Sequence, residues 1–127
     1  MKQVFIFLAL MLIGTTSVSA QTEVKNVQFA RGKNSATLTG TLRNKDSIHS
    51  YKLRANAGQK MQIQLTAPDG RIWYSLDRGT DGNSELLFPE ARGTETIELP
   101  ANDSYNIGVF ARNGMRNGRY TLKITIL

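Results

Sequence analysis

The alternation of apolar and polar residues over residues 104–127 limits the fold more than any other feature of the chain. Tyr105, Ile107 and Val109 alternate with Asn106 and Gly108, and Tyr120, Leu122, Ile124 and Ile126 alternate with Thr121, Lys123 and Thr125. A repeat of two puts one set of side chains on a core and the other in solvent, so the pattern predicts two strands. The intervening residues 111–119 hold two Asn-Gly pairs and three arginines, Arg112, Arg116 and Arg119. Asn-Gly takes the positive φ angles of a tight turn more readily than other dipeptides. The expectation is a β-hairpin with guanidinium groups at its tip, held on a stiff support of the kind on which binding loops sit.

The rest of the chain reads the same way. Val24, Val27 and Phe29 open a strand that ends at Arg31-Gly32-Lys33-Asn34. Ala36, Leu38, Gly40 and Leu42 alternate with Thr37, Thr39 and Thr41. Ile48, Tyr51, Leu53 and Ala55 form a third strand, and Met61, Ile63 and Leu65 a fourth, closed by Pro68-Asp69-Gly70. Ile72, Tyr74 and Leu76 point one way and Trp73, Ser75 and Asp77 the other. Leu86 to Phe88 predicts a short edge strand stopped by Pro89, and Ile97 with Leu99 another stopped by Pro100. No window keeps a helical period over the length a helix needs. Seven to nine short strands at hairpin spacing predict an all-β fold, an antiparallel β-sandwich or jelly roll.

Residues 1–20 belong to a different class of segment. Lys2 is followed by the apolar run from Val4 to Ile13, and Val18-Ser19-Ala20 places small residues before Gln21. This is the pattern of a secretory signal peptide cleaved near Ala20, too short and wrongly flanked for a membrane anchor. Residues 21–127 are then one β-sandwich domain, periplasmic or secreted. The chain has no cysteine, so such a domain depends on its core alone for stability. The 16 Lys and Arg against 10 Asp and Glu give a net charge of +6, lowered by one when Lys2 leaves with the leader. That balance favours anionic partners such as acidic protein clefts or anionic glycans. Nucleic acid is not expected, because the basic residues are scattered over many turns.

The residues then carry a resemblance. Phe29-Ala30-Arg31-Gly32-Lys33-Asn34-Ser35-Ala36 with Gly40, Tyr51 and Ala55 before Gly58-Gln59-Lys60, Pro89-Glu90, Leu99-Pro100-Ala101 before Tyr105, and Arg112-Asn113-Gly114-Met115-Arg116 resemble the periplasmic inhibitors of g-type (goose-type) lysozyme. The similarity spans nearly all of residues 21–127. Its Gly-Gln-Lys and Leu-Pro-Ala elements also resemble a broader set of exported sandwiches similar to bacterial pre-peptidase C-terminal domains. The resemblance implies a β-sandwich whose loops enter the lysozyme cleft, with Arg112 and Arg116 touching the enzyme. The family also uses a tyrosine in the loop before the Tyr51 strand. Here that loop reads Arg43-Asn44-Lys45-Asp46-Ser47, a departure from the pattern.

Arg112, Asn113, Arg116 and Arg119 are therefore the candidate inhibitory loop, with Phe110, Lys45 and Asp46 as flanking contacts. Guanidinium groups make charge-assisted, bidentate bonds to carboxylates, which a muramidase cleft needs for its chemistry. The bland alternative is that these arginines are only solvated. Phe110 faces away from Tyr105, Ile107 and Val109, and is either an exposed anchor or covered by a neighbouring loop. Trp73 is either a platform for stacking a sugar ring or, the favoured reading, a core residue with Tyr74 turned outward by a bulge.

Enzyme chemistry is not expected. His49 is the only histidine, and no nucleophile elbow, His-Glu-x-x-His pair or phosphate-binding glycine loop is present. Residues 77–83 look like a calcium loop, but Gly79 lacks the third-position oxygen ligand and Phe88 stands where the closing glutamate belongs. No cofactor or metal is expected. The leading reading is an exported inhibitor of g-type lysozyme, a protein partner. The alternative is a non-catalytic module binding peptidoglycan or another cell-surface glycan through Trp73.

Overall fold

The computed structural model describes residues 22–44, 46–68, 70–79, 85–111 and 117–127. These form nine strands in two sheets: β1 (Thr22–Asn26), β2 (Ser35–Leu42), β3 (Ile48–Ala55), β4 (Lys60–Thr66), β5 (Ile72–Arg78), β6 (Glu85–Ala91), β7 (Thr94–Glu98), β8 (Asp103–Ala111) and β9 (Gly118–Ile126). The five-stranded sheet runs β1-β3-β8-β5-β6 and the four-stranded sheet β2-β9-β4-β7. All neighbours are antiparallel except β1 and β3. The expected β-sandwich is what the chain adopts.

The core is the sum of the inward sets. Tyr51, Leu53, Tyr74, Leu76, Tyr105, Ile107 and Val109 face Leu42, Met61, Ile63, Leu65, Tyr120, Leu122 and Ile124, all buried. Each aliphatic side chain removed from water in this way contributes roughly 1.5–3 kcal/mol. In a chain without cysteine, that sum is the main stabilising term.

The hairpin expected over residues 104–127 does not form. β8 lies in the five-stranded sheet and β9 in the four-stranded one, so their apolar sets meet face to face across the core. Alternation fixes which side of a strand turns inward and leaves its hydrogen-bonded neighbour open. The Asn-Gly reading holds locally, since Asn117 has φ 50° just before Gly118. The strand expected through Phe29 ends at Asn26 instead, and Val27 and Phe29 pack half-buried beyond it. β6 does not stop at Pro89 but runs to Ala91, because an edge strand leaves one row of N–H positions unused. A register shift accompanies it, with Tyr74 opposite Ala91 but Leu76 opposite Phe88.

The favoured placement of Trp73 in the core is also corrected. Tyr74 is fully buried and Trp73 lies half-buried on the outer face of the same sheet. The shift between β5 and β6 changes which residues pair but leaves the alternation of β5 intact.

Inside the core, His49, Tyr51 and Tyr120 form a polar row between the sheets, and the Tyr74 hydroxyl donates across them to the Ile63 carbonyl at 3.4 Å. The Tyr51 and Tyr120 hydroxyls are 2.5 Å apart and the Tyr120 hydroxyl is 2.6 Å from His49 Nδ1. A neutral imidazole with its proton on Nε2 satisfies this row, Tyr51 donating to Tyr120 and Tyr120 to Nδ1. Nε2 then faces the Glu23 carboxylate at 3.9 Å. Burial drives the His49 pKa below its usual 6.5, against a smaller upward pull from Glu23 and with a further downward push from Lys25. Burial, followed by the bond to Tyr51, raises the Tyr120 pKa well above that of a free phenol. Gly40 makes room for the bridge, since a Cβ there would sit 2.5 Å from the Tyr120 hydroxyl. His49 is thus a structural residue.

Two measurements test this account. Gly40→Ala should cost about 1–3 kcal/mol by displacing a buried ring, lowering Tm by at least roughly 5 °C in a domain of this size. For His49, the folded pKa lies below the unfolded one, so the unfolded chain takes up the proton first. Its contribution is present above pH 6.5 and is lost as pH falls through the folded value. Stability should therefore decline between pH 7.5 and 5.5, and His49→Gln should flatten that decline.

Candidate functional site

Strand directions sort the loops between two ends of the sandwich. β2 finishes at Leu42 and β3 begins at Ile48, while β8 finishes at Ala111 and β9 begins at Gly118. Since Ile48 pairs with Phe110 and Leu42 with Gly118, all four termini meet at one end. Both connections pass from one sheet to the other there, spanning the ~10 Å between sheets. The turns from β4 to β5 and from β6 to β7 share this end.

Short hydrogen bonds hold the flanks of the two crossings. The Asn117 N–H donates to the Arg43 carbonyl at 3.0 Å and ties one crossing to the other. Asn44 Oδ1 accepts the Asp46 N–H at 2.8 Å, and the Ser47 N–H donates to the Asn44 carbonyl at 3.1 Å. This is the local turn chemistry that asparagine supplies. Ser47 is buried behind it.

The charge at this end is cationic. Arg43, Arg71, Arg92 and Arg119 are all exposed. Arg119 projects from the outer face of the four-stranded sheet opposite Thr41. Among the described residues, neither Arg43 nor Arg119 is paired with a carboxylate. Arg78, at the other end, is the contrast. Its Nε bonds Glu85 at 2.8 Å and its Nη1 bonds Asp103 at 3.2 Å, and the Glu85 bond leads the causes that raise its pKa. That arginine serves the protein's own framework, whereas Arg43 and Arg119 present their charge outward.

Of the residues singled out from sequence, Arg112, Asn113, Arg116 and Lys45 lie outside the described residues, as do residues 80–83 of the calcium-like loop. Asp46 is exposed in its turn. Phe110 is half-buried on the outer face of the five-stranded sheet, in register between Ile48 on β3 and Trp73 on β5. The Arg92 guanidinium stacks 4.9 Å from the Trp73 ring centroid, and its Nη1 donates to the Gly70 carbonyl at 3.4 Å. Such a cation over an indole is attracted by the ring quadrupole, and it occupies one face that a stacked sugar needs.

Sequence reasoning missed Arg71 and Arg92. Their signal was present, since each flanks a turn glycine, Gly70 or Gly93, and counting strand directions sends both turns to the same end as Arg43. Among the described residues, no group of three His, Asp or Glu side chains could hold a metal ion.

No family model matches the chain. A curated relative, the inhibitor of g-type lysozyme from Escherichia coli (strain K12), is 30% identical over 115 residues, covering 88% of this chain and 84% of the relative. The crystal structure of a periplasmic inhibitor of g-type lysozyme from Aeromonas hydrophila aligns with a TM-score of 0.73 at 24% identity, over 84% of this chain and 98% of that one. Its counterpart from Salmonella Typhimurium aligns with a TM-score of 0.65 at 22% identity, over 83% and 98%. The pre-peptidase C-terminal domain of a Bacillus anthracis collagenase shares the fold with a TM-score of 0.58 at 17% identity, over 84% and 96%.

Proposed function

We propose, from the premise that this chain belongs to the family of g-type lysozyme inhibitors, that it is an exported protein which blocks such a lysozyme by presenting the basic end of the sandwich to the glycan cleft. Residues 1–20 direct export, and cleavage near Ala20 leaves the domain in the periplasm or outside the cell. The observation that carries the reading is the pairing of two inter-sheet crossings at one end, with Arg43 and Arg119 solvent-facing beside them.

In this mechanism Arg112 and Arg116 reach the carboxyl groups that glycoside hydrolysis requires. Each guanidinium forms charge-assisted bonds that a lysine ammonium matches less well, because its fork fits both carboxylate oxygens. Asn113 belongs to the same contact set, and Arg119 and Arg43 widen the positive field that draws the two proteins together. Phe110, Lys45 and Asp46 sit at the margin. Blockage is competitive and non-covalent, and the inhibitor itself catalyses nothing. The rival glycan-binding module gains no support from Trp73, because Arg92 covers one face of its ring.

The purified protein should inhibit g-type lysozyme at micromolar concentration and leave c-type and i-type lysozymes less affected. Inhibition should weaken as salt is raised from 0.05 to 0.5 M, on the order of the screening expected of exposed charges. Arg112→Ala with Arg116→Ala should weaken inhibition by roughly 100-fold, a loss typical of interface hot spots, with Tm unchanged. Full inhibition by that double variant at unchanged Tm rules the loop mechanism out.

A further inference from the structure

The two sheets end in four border strands, β1, β6, β2 and β7. A border strand carries a row of N–H and C=O groups that another strand can join, and short length, charge, proline and bulges are the usual means of preventing it. Three of the four borders carry such features. β1 has five residues, with Glu23 on the inward side beside His49. β7 has five residues, with Glu95 on the same side as the buried Ile63. β6 holds Pro89 and a register shift. β2 differs from all of them, since Ser35–Leu42 spans eight residues without charge or proline and in unbroken register with β9.

The hydrogen-bond pattern identifies the open groups of β2. The Ile126 N–H donates to the Asn34 carbonyl at 2.9 Å, one step before Ser35 pairs with Thr125. Bonded and unbonded pairs alternate along an antiparallel ladder. Ala36, Leu38, Gly40 and Leu42 therefore bond β9, whereas the N–H and C=O of Ser35, Thr37, Thr39 and Thr41 point away from it. Among the described residues, nothing else takes up these groups.

We propose that β2 is a self-association surface, on which a second copy of this chain pairs its own β2 antiparallel about a two-fold axis at Thr39. The axis follows from the order of residues in the strand. Thr39 opposite Thr39, and Thr37 opposite Thr41 on either side, become the bonded pairs, with roughly six backbone hydrogen bonds at two per pair. On the outer side threonine then meets threonine, a favourable cross-strand pair. On the inner side Leu38 meets Gly40 and Leu42 meets Ala36, so each leucine opposes a small residue. An axis at Leu38 or at Gly40 instead sets leucine against leucine. Each copy contributes the same open border, so association closes at two. A single strand pair is smaller than a standard interface, which puts the dissociation constant on the order of 100 µM. Antiparallel pairing sends the two basic ends to opposite poles, and the dimer stands apart from lysozyme inhibition.

The test is sedimentation of the mature protein from micromolar to millimolar concentration, with amide hydrogen exchange measured over the same range. Dimers should form as concentration rises, and the Thr37, Thr39 and Thr41 amides should gain protection with them. The Ala36, Leu38 and Gly40 amides, bonded to β9, should be protected throughout. Thr39→Lys and Thr39→Glu each place like charges directly opposite at the axis, and each should weaken self-association roughly five- to tenfold with Tm little changed. An equimolar mixture of the two variants should pair again, because opposite charges then face one another. The proposal is overturned by a protein that stays monomeric at millimolar concentration, or by a dimer in which Thr37, Thr39 and Thr41 gain no protection. It is equally overturned if the folded Thr39→Lys variant dimerises as well as the parent, or if the mixture pairs no better than either variant alone.

Discussion

Two phenol hydroxyls and one imidazole nitrogen join the two sheets toward one end of a largely apolar core, and the geometry around them has little slack. Tyr51 comes from one sheet, Tyr120 from the other, and His49 from the strand position two residues before Tyr51. Apolar contacts tolerate sliding, whereas a row of hydrogen bonds in a dry interior is satisfied in only one relative position of the layers. The row therefore fixes how the sheets lie on one another. It also explains why a glycine stands within β2, a strand otherwise made of serine, alanine, threonine and leucine.

Fixing the sheets also fixes the strand ends from which the crossings leave. The β2–β3 and β8–β9 connections leave the layers at the end where His49 and Tyr120 meet, and the Asn117–Arg43 hydrogen bond ties them together. Side chains presented from this end inherit the rigidity of both sheets, a form of preorganisation that reduces the entropy lost on binding. The opposite end is organised differently. There Arg78 draws Glu85 and Asp103 into a local network. The two ends of a small sandwich are thus chemically distinct.

The fold was legible because short, alternating strands separated by Gly, Pro and Asn leave few other architectures open. Ile72, Tyr74 and Leu76 on one side of β5, and Met61, Ile63 and Leu65 on one side of β4, follow directly from the period-two pattern. Partnership between strands was not legible, because the pattern is the same whether Tyr120 sits beside Tyr105 or across the core from it. Trp73 was misread for a related reason. The general tendency of large aromatics to be buried was set against the alternation of β5, and the alternation prevailed. At the basic end, Arg119 was visible as part of a charged turn. Arg71 and Arg92 were not, because their proximity to Arg43 depends on the course of β4 to β7 through space.

Pro89 has a consequence beyond its effect on register. β6 is an outer strand of its sheet, and the free border of such a strand is a template on which another chain can grow. A ring in place of an N–H interrupts that template, and the accompanying irregularity twists the border out of line. In a chain without cysteine, whose free borders no disulfide can close, the residue works as a guard against strand-to-strand polymerisation.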